Sequence, residues 1–202
     1  MRDDFYYEFS YDSKYCYKDT HVLKNKLNIR DDEELSDAER EITSIRAAQI
    51  LAEGIEGGFD YSSYKRLHKK LFGEIFDWAG KIRTVNISKG NKFCLYEYID
   101  DHMEKLFEEL KSENYLTGYK DKETIAKRLA YYLGELNAIH PFREGNGRVQ
   151  RIFLELLATD LGWEINFDII TNEEMLKASD QSFRGDFSHM EKLILSALQN
   201  IK

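Results

Sequence analysis

The run from His140 to Arg151 brings together a histidine, a carboxylate at Glu144, an amide at Asn146, glycines at 145 and 147, and arginines at 148 and 151. Residues of these types in so short a span suit a bound nucleotide phosphate. Gly145 and Gly147 let the backbone take positive φ and approach a ligand closely. Successive amides at the start of a following helix would form a concave anion site favoured by the helix dipole. Arg148 and Arg151 are three residues apart, so on a helix they share a face and can fork onto phosphate oxygens. Two arginines at a helix N-terminus oppose its dipole, a conflict that a bound anion would resolve. Glu144 suffices as a Mg²⁺ ligand, because that ion often takes one or two protein carboxylates and fills its shell with water and phosphate oxygens. Asn146 offers an amide donor to a phosphate oxygen. His140, with an ordinary pKa of about 6.5, suits a general base near neutrality. Singly, each residue has a plainer reading as a helix C-cap, a turn or a solvated helix face. A turn does not require all of them within twelve residues.

The surrounding sequence supplies helices to hold this run. Ile125, Leu129, Leu133, Leu136 and Ile139 form an apolar stripe that ends at Pro141, the chain's one proline, which disfavours helical geometry in the residue before it. Val149, Ile152, Phe153, Leu156 and Leu157 resume the stripe, and Gly162 closes that helix. Ser/Thr-x-x-Glu capping boxes at Ser36–Glu39, Thr171–Glu174 and Ser188–Glu191 each mark a helix start. The first predicts a helix to about Glu53, ended by glycines at 54, 57 and 58. Asp60 caps another through Tyr64, Leu67, Leu71 and Phe72, and a further helix is expected from about Tyr98 to Leu110. Thr84–Ile87 alternates with β-branched residues, Ser88–Asn91 reads as a turn, and Lys92–Cys94 returns. This predicts one short β-hairpin. The fold class is mainly α.

Composition bounds the partners. The 202 residues carry 29 basic and 37 acidic side chains, a net charge of −8, which argues against direct nucleic-acid binding. Cys16 and Cys94 have no metal-ligand spacing and read as reduced thiols. No signal-peptide core and no membrane-spanning run is evident, so a cytoplasmic protein is expected. The tyrosine-rich opening, residues 1–21, reads as an arm packed on a single domain over 22–202.

The run resembles the motif of the Fic (filamentation-induced-by-cAMP) family, His-x-Phe-x-Asp/Glu-Gly-Asn-Gly-Arg-x-x-Arg, at His140, Phe142, Glu144, Gly145, Asn146, Gly147, Arg148 and Arg151. Phe76–Arg83 and Asn86–Gly90 also resemble the family's segment leading into its flap hairpin, so the likeness extends over roughly residues 22–198. The resemblance implies a Fic-type helical bundle with a β-hairpin flap, and a protein adenylyltransferase that moves AMP from ATP onto a Tyr, Ser or Thr hydroxyl of a target protein. His140 would then deprotonate the acceptor, and Glu144 would hold Mg²⁺ between the α- and β-phosphates. Asn146 with the loop amides at Gly145 and Gly147 would hold the α-phosphate, while Arg148 and Arg151 orient the β- and γ-phosphates. Phe142 would be a core anchor. The flap residues Ile87, Lys89, Gly90 and Phe93 would register an extended target strand by main-chain pairing.

Many relatives carry an inhibitory pattern, Ser/Thr-x-x-x-Glu-Gly/Asn, whose glutamate meets the arginine at the position of Arg148. Glu53-Gly54 and Glu56-Gly57 are preceded four residues earlier by Gln49 and Ala52, so neither fits. Ile42–Arg46 resembles the receiving region of members inhibited by a separate antitoxin. The expectation is a toxin half of such a pair, with Arg148 exposed to a partner's glutamate. By analogy with such members, type II topoisomerases are the first candidate targets. A nucleotide- or peptide-binding adaptor, and phosphoryl or other nucleotidyl transfer at the same site, remain the alternatives.

Overall fold

The computed structural model describes residues 14–89 and 91–201, with side chains throughout except at 89 and 91. Residues 1–13 of the expected arm lie outside the described residues. What is described of the arm packs down: Tyr15 and Cys16 are buried, and Cys16 bridges to Leu23.

Among the described residues the chain forms seven α-helices and two small antiparallel ladders. Helix α1 spans Asp32–Glu53 and stops at Gly54, whose φ of 80° leaves the helical region. Its N-cap is Asp31, accepting from the Glu34 N–H at 2.9 Å. Its cap therefore lies five residues before the expected Ser36, because Asp31 and three acidic first-turn residues complement the helix start. Ser36 and Glu39 lie inside the helix. Helix α2, Tyr61–Phe72, starts at Asp60 as expected.

The hairpin is shorter than the alternation implied. Strands β1 (Ser88–Lys89) and β2 (Asn91–Lys92) pair Ser88 with Lys92 and Lys89 with Asn91. The residues read as the turn thus make the ladder. Thr84–Ile87 is not strand, because its polar groups turn to other partners: the Thr84 amide bonds the Tyr15 hydroxyl and the Asn86 side chain accepts from Tyr96 N–H.

Helix α3 covers Ile99–Ser112, α4 Lys122–Ile139, α5 Asn146–Asp160, α6 Asn172–Phe183 and α7 Ser188–Ala197. Strands β3 (Trp163–Ile165) and β4 (Leu198–Asn200) form a second ladder that the sequence did not suggest. Three-residue strands are too short to show a period. Helix α4 is central, packing on α3, α5, α6 and α7, with Leu129, Leu133 and Leu136 buried. An aromatic core of Tyr64, Phe107, Phe142 and Phe153 joins α2, α3 and α5 to the motif loop. No helix among the described residues is long and apolar enough to cross a membrane.

Of the four expected caps, Asp60 and Thr171 are present, while Ser36 and Ser188 do not cap their helices. Thr171 and Glu174 make the reciprocal capping box of α6, and Asp60 accepts from Ser63 N–H at 2.6 Å. Helix α7 instead follows Phe187 with no side-chain cap, and the Ser188 N–H donates to Asp186. Asp60→Ala should therefore lower stability by about 1 kcal/mol, while Ser188→Ala leaves it within a few tenths; urea melts of both variants check the contrast.

Candidate active site

His140 closes α4 in the left-handed region (φ 51°, ψ 61°), a C-cap that turns the chain out of the helix before Pro141. Its Nδ1 lies 3.1 Å from the Asn137 carbonyl. A carbonyl can only accept, so Nδ1 carries the proton and Nε2 is the basic nitrogen. The Phe93 ring stacks on the imidazole, 3.8 Å between centroids at 15°. The flap's return leg thus covers one face of the histidine.

Beyond the loop, Gly145 is the N-cap of α5 at φ 81°, and no side chain caps this helix. Its first-turn amides are thereby left for another acceptor. Gly145 is required twice over, because a Cβ there would sit 2.2 Å from Cζ of Phe72. Asn146 does not extend its side chain outward: Oδ1 accepts from Phe142 N–H at 2.9 Å and Nδ2 donates to the Phe142 carbonyl at 2.8 Å. It braces the loop, and Phe142 beneath is fully buried. Glu144 accepts from Gly145 N–H through Oε1 and lies 3.7 Å from Arg148.

Arg151 makes no hydrogen bond or ion pair among the described residues. Burial first, then the like charge of Arg148, pushes its guanidinium pKa down, and Asp168 opposes the shift. Two cations held together at an uncapped helix start are what an anion site requires.

Arg148, expected to be exposed to a partner's glutamate, already has a carboxylate partner within this chain. Its Nη2 donates to Oε2 of Glu39 at 2.8 Å and its Nη1 to the Thr43 hydroxyl at 3.2 Å, and the guanidinium lies over the Phe72 ring. Glu39 is 3% exposed. Glu39 does not fit the inhibitory pattern, since Leu35 stands four residues before it and Arg40 follows it, and its spacing from Ser36 suggested a cap. The earlier start of α1 turns Glu39 inward.

His68 is fully buried and braces the motif loop. The Gly80 N–H donates to Nδ1 at 2.9 Å, so Nε2 carries the proton and donates to the Glu144 carbonyl at 2.9 Å. The ring also stacks on Phe142, centroids 3.8 Å apart. Its helical spacing with Tyr64 and Leu71 was the available signal of burial. Burial pushes its pKa down to about 3, the Glu144 carbonyl opposing and the Arg148 charge reinforcing. Only the unfolded chain takes up this proton, so stability is complete above about pH 6.5 and falls toward pH 3 by about 1.4 kcal/mol per unit. Urea melts between pH 7 and 4 should show this slope. His68→Gln, which keeps an acceptor and a donor, should remove that contribution.

In the flap, Ile87 and Phe93 are buried rather than offered outward. The side chain of Lys89, and Gly90 altogether, lie outside the described residues. Among those described, no three His, Cys, Asp or Glu residues cluster as a metal site; Glu144 has one carboxylate neighbour, Glu39, which shares Arg148 with it.

A helical scaffold with this loop between α4 and α5 and a hairpin beside the histidine defines a known class. Residues 58–158 match the Fic/DOC family, and the chain belongs to it. It is 40% identical over 174 residues to "Probable protein adenylyltransferase y4lH" of Sinorhizobium fredii, covering 86% of this chain and 89% of that protein. It is 41% identical over 189 residues to "Protein adenylyltransferase VbhT" of Bartonella schoenbuchensis, covering 93% of this chain and 39% of that longer protein. The fold superposes on the BepC protein of Bartonella tribocorum with bound AMPPNP at a TM-score of 0.87 and 28% identity, over 94% of this chain and 98% of that one.

Proposed function

We propose that this protein is an adenylyltransferase that moves AMP from ATP to a Tyr, Ser or Thr hydroxyl of a target protein. The observation that carries the reading is the uncapped start of α5, flanked by Arg148 and Arg151 and preceded by a histidine whose tautomer makes Nε2 basic. The names of the relatives and the AMPPNP on the similar BepC structure support it.

In this reading His140 Nε2 takes the proton of the acceptor hydroxyl as its oxygen attacks the α-phosphorus. The amides of Asn146, Gly147 and Arg148 cradle phosphate oxygens, while Asn146's side chain keeps the cradle in shape. Arg151, with Arg148 held from behind by Glu39, steadies the β- and γ-phosphates so that pyrophosphate leaves in line. Glu144 fits a Mg²⁺ ligand, since Oε1 is held by the Gly145 N–H beside the cradle and a carboxylate keeps a second oxygen for the ion. Bound there, Mg²⁺ would supply neutralisation of the charge that develops on the phosphates.

The target's strand would dock along the β1–β2 edge near Lys89 and Gly90, and Phe93 and Ile87 would anchor the flap beneath it. The same proposal places the protein in the cytoplasm as the toxin of a toxin–antitoxin pair, with type II topoisomerases as first candidate targets by analogy. Exposed Ile45 on α1 supports a partner surface there. A partner's glutamate would have to compete with Glu39 for Arg148. Incubation with MgATP and lysate of the native host, followed by digestion and mass spectrometry, should find an adenylyl group on a Tyr, Ser or Thr. Adenylylated peptides as frequent without the enzyme as with it would refute the proposal.

A further inference from the structure

The last carbonyls of a helix need partners from outside it. At the end of α4 and just past it, those of Ala138 to Pro141 come from the segments on either side of the flap. The Ala138 carbonyl accepts from Cys94 N–H at 3.1 Å and the Pro141 carbonyl from Arg83 N–H at 2.9 Å. The carbonyls of Ile139 and His140 accept from the Arg83 guanidinium, His140 through Nε at 2.8 Å. The same guanidinium donates to the carbonyls of Val85 at 2.7 Å and Cys94. Val85 precedes β1 and Cys94 follows β2.

Arg83 is 1% exposed, and among the described residues no carboxylate lies within ion-pair distance of it. A buried cation without a counter-charge is disfavoured unless its donors are satisfied. Here backbone carbonyls do so, two of them at the negative end of the α4 dipole. It ties four backbone positions at once: both flap legs and the two residues that end α4.

We infer that Arg83 is a positioning residue that fixes the flap against His140, so that an acceptor registered on the flap arrives at the basic nitrogen. The inference rests on the transferase reading of this site. It treats Arg83 as acting through geometry alone, touching neither nucleotide nor target. Misplacement by about 1 Å lowers transfer about 100-fold, while the phosphate cradle beyond Gly145 has no contact with Arg83 and keeps its affinity.

Arg83→Lys tests this, because an ammonium keeps the charge but cannot span four carbonyls. Calorimetry with MgADP should give an affinity within about twofold of wild type. Transfer of α-labelled ATP into lysate protein at saturating ATP should fall about 100-fold. The NMR signal of the His140 ring, shifted by the stacked Phe93, should move toward an unstacked position. A wild-type transfer rate, or a loss of MgADP affinity as large as the loss of transfer, would overturn the inference. In the unaltered protein, the Cys94 and His140 amides should exchange hydrogen as one cooperative unit, a measurement that holds even where the variant does not fold. Independent, much faster exchange at Cys94 would also overturn it. Wild-type protein that labels nothing would sink the transferase reading instead, with the ring signal and the exchange still deciding the role of Arg83.

Discussion

His140→Ala should lower AMP transfer by a factor of about 10²–10⁴, the usual contribution of a positioned general base, with MgATP affinity within about twofold of wild type. The separation follows from the geometry. The cradle amides, Arg148 and Arg151 all belong to α5, whereas His140 belongs to the end of α4 and contributes no phosphate donor. The substitution relieves no left-handed backbone strain, since alanine tolerates φ 51° no better than histidine. Stability should therefore be compared by urea melts beside the rate. Calorimetry and label transfer on the same preparation decide between an enzyme and a nucleotide-binding adaptor. Equal loss of affinity and transfer would move His140 from the chemistry to binding.

The second large effect is expected at Gly145. An alanine there meets two independent penalties. Left-handed φ at a residue with a Cβ costs about 1–2 kcal/mol. Overpacking against Phe72, whose ring atoms would lie 2.2 and 2.4 Å from that Cβ, costs about 1–3 kcal/mol. Together they remove about 2–5 kcal/mol, a large fraction of a domain's stability. Phe72 cannot yield cheaply, because it stacks on His68 and lies under the Arg148 guanidinium. Displacing it disturbs the loop brace and the phosphate clamp at once. MgATP affinity should fall at least about 10-fold and transfer about 100-fold. In the Gly145→Ala background, Phe72→Leu should recover the packing penalty and leave the φ penalty. No recovery would mean that backbone strain alone governs this position.

The motif loop was legible because its residues are contiguous: His140 to Arg151 lie in one span, and the apolar stripes on either side name the helices that hold them. Asp60 and Thr171 were legible as caps for the same local reason. What the sequence concealed depends on distant contacts. Glu39 reaches Arg148 across 109 positions, and Arg83 reaches His140 across 57; no spacing rule links them. No spacing in the sequence marks His68 as a brace; only the fold shows its two nitrogens bridging Gly80 and Glu144. Asn146 was legible as essential to the loop but not in its manner of acting, since only the folded loop brings its amide onto the Phe142 backbone. The hairpin was located correctly and its pairing misassigned by a few residues, because β-branched residues at Thr84–Ile87 outweighed polar partners that only the tertiary structure supplies.

The central claim is that this site breaks the bond between the α- and β-phosphates of ATP and delivers AMP to protein. It is tested most directly by parallel incubations with ATP labelled at the α or the γ position, each with target-containing lysate. Label should enter protein from the α position only, with pyrophosphate released and both signals lost in His140→Ala. Label entering from the γ position, with ADP as the product, would contradict it.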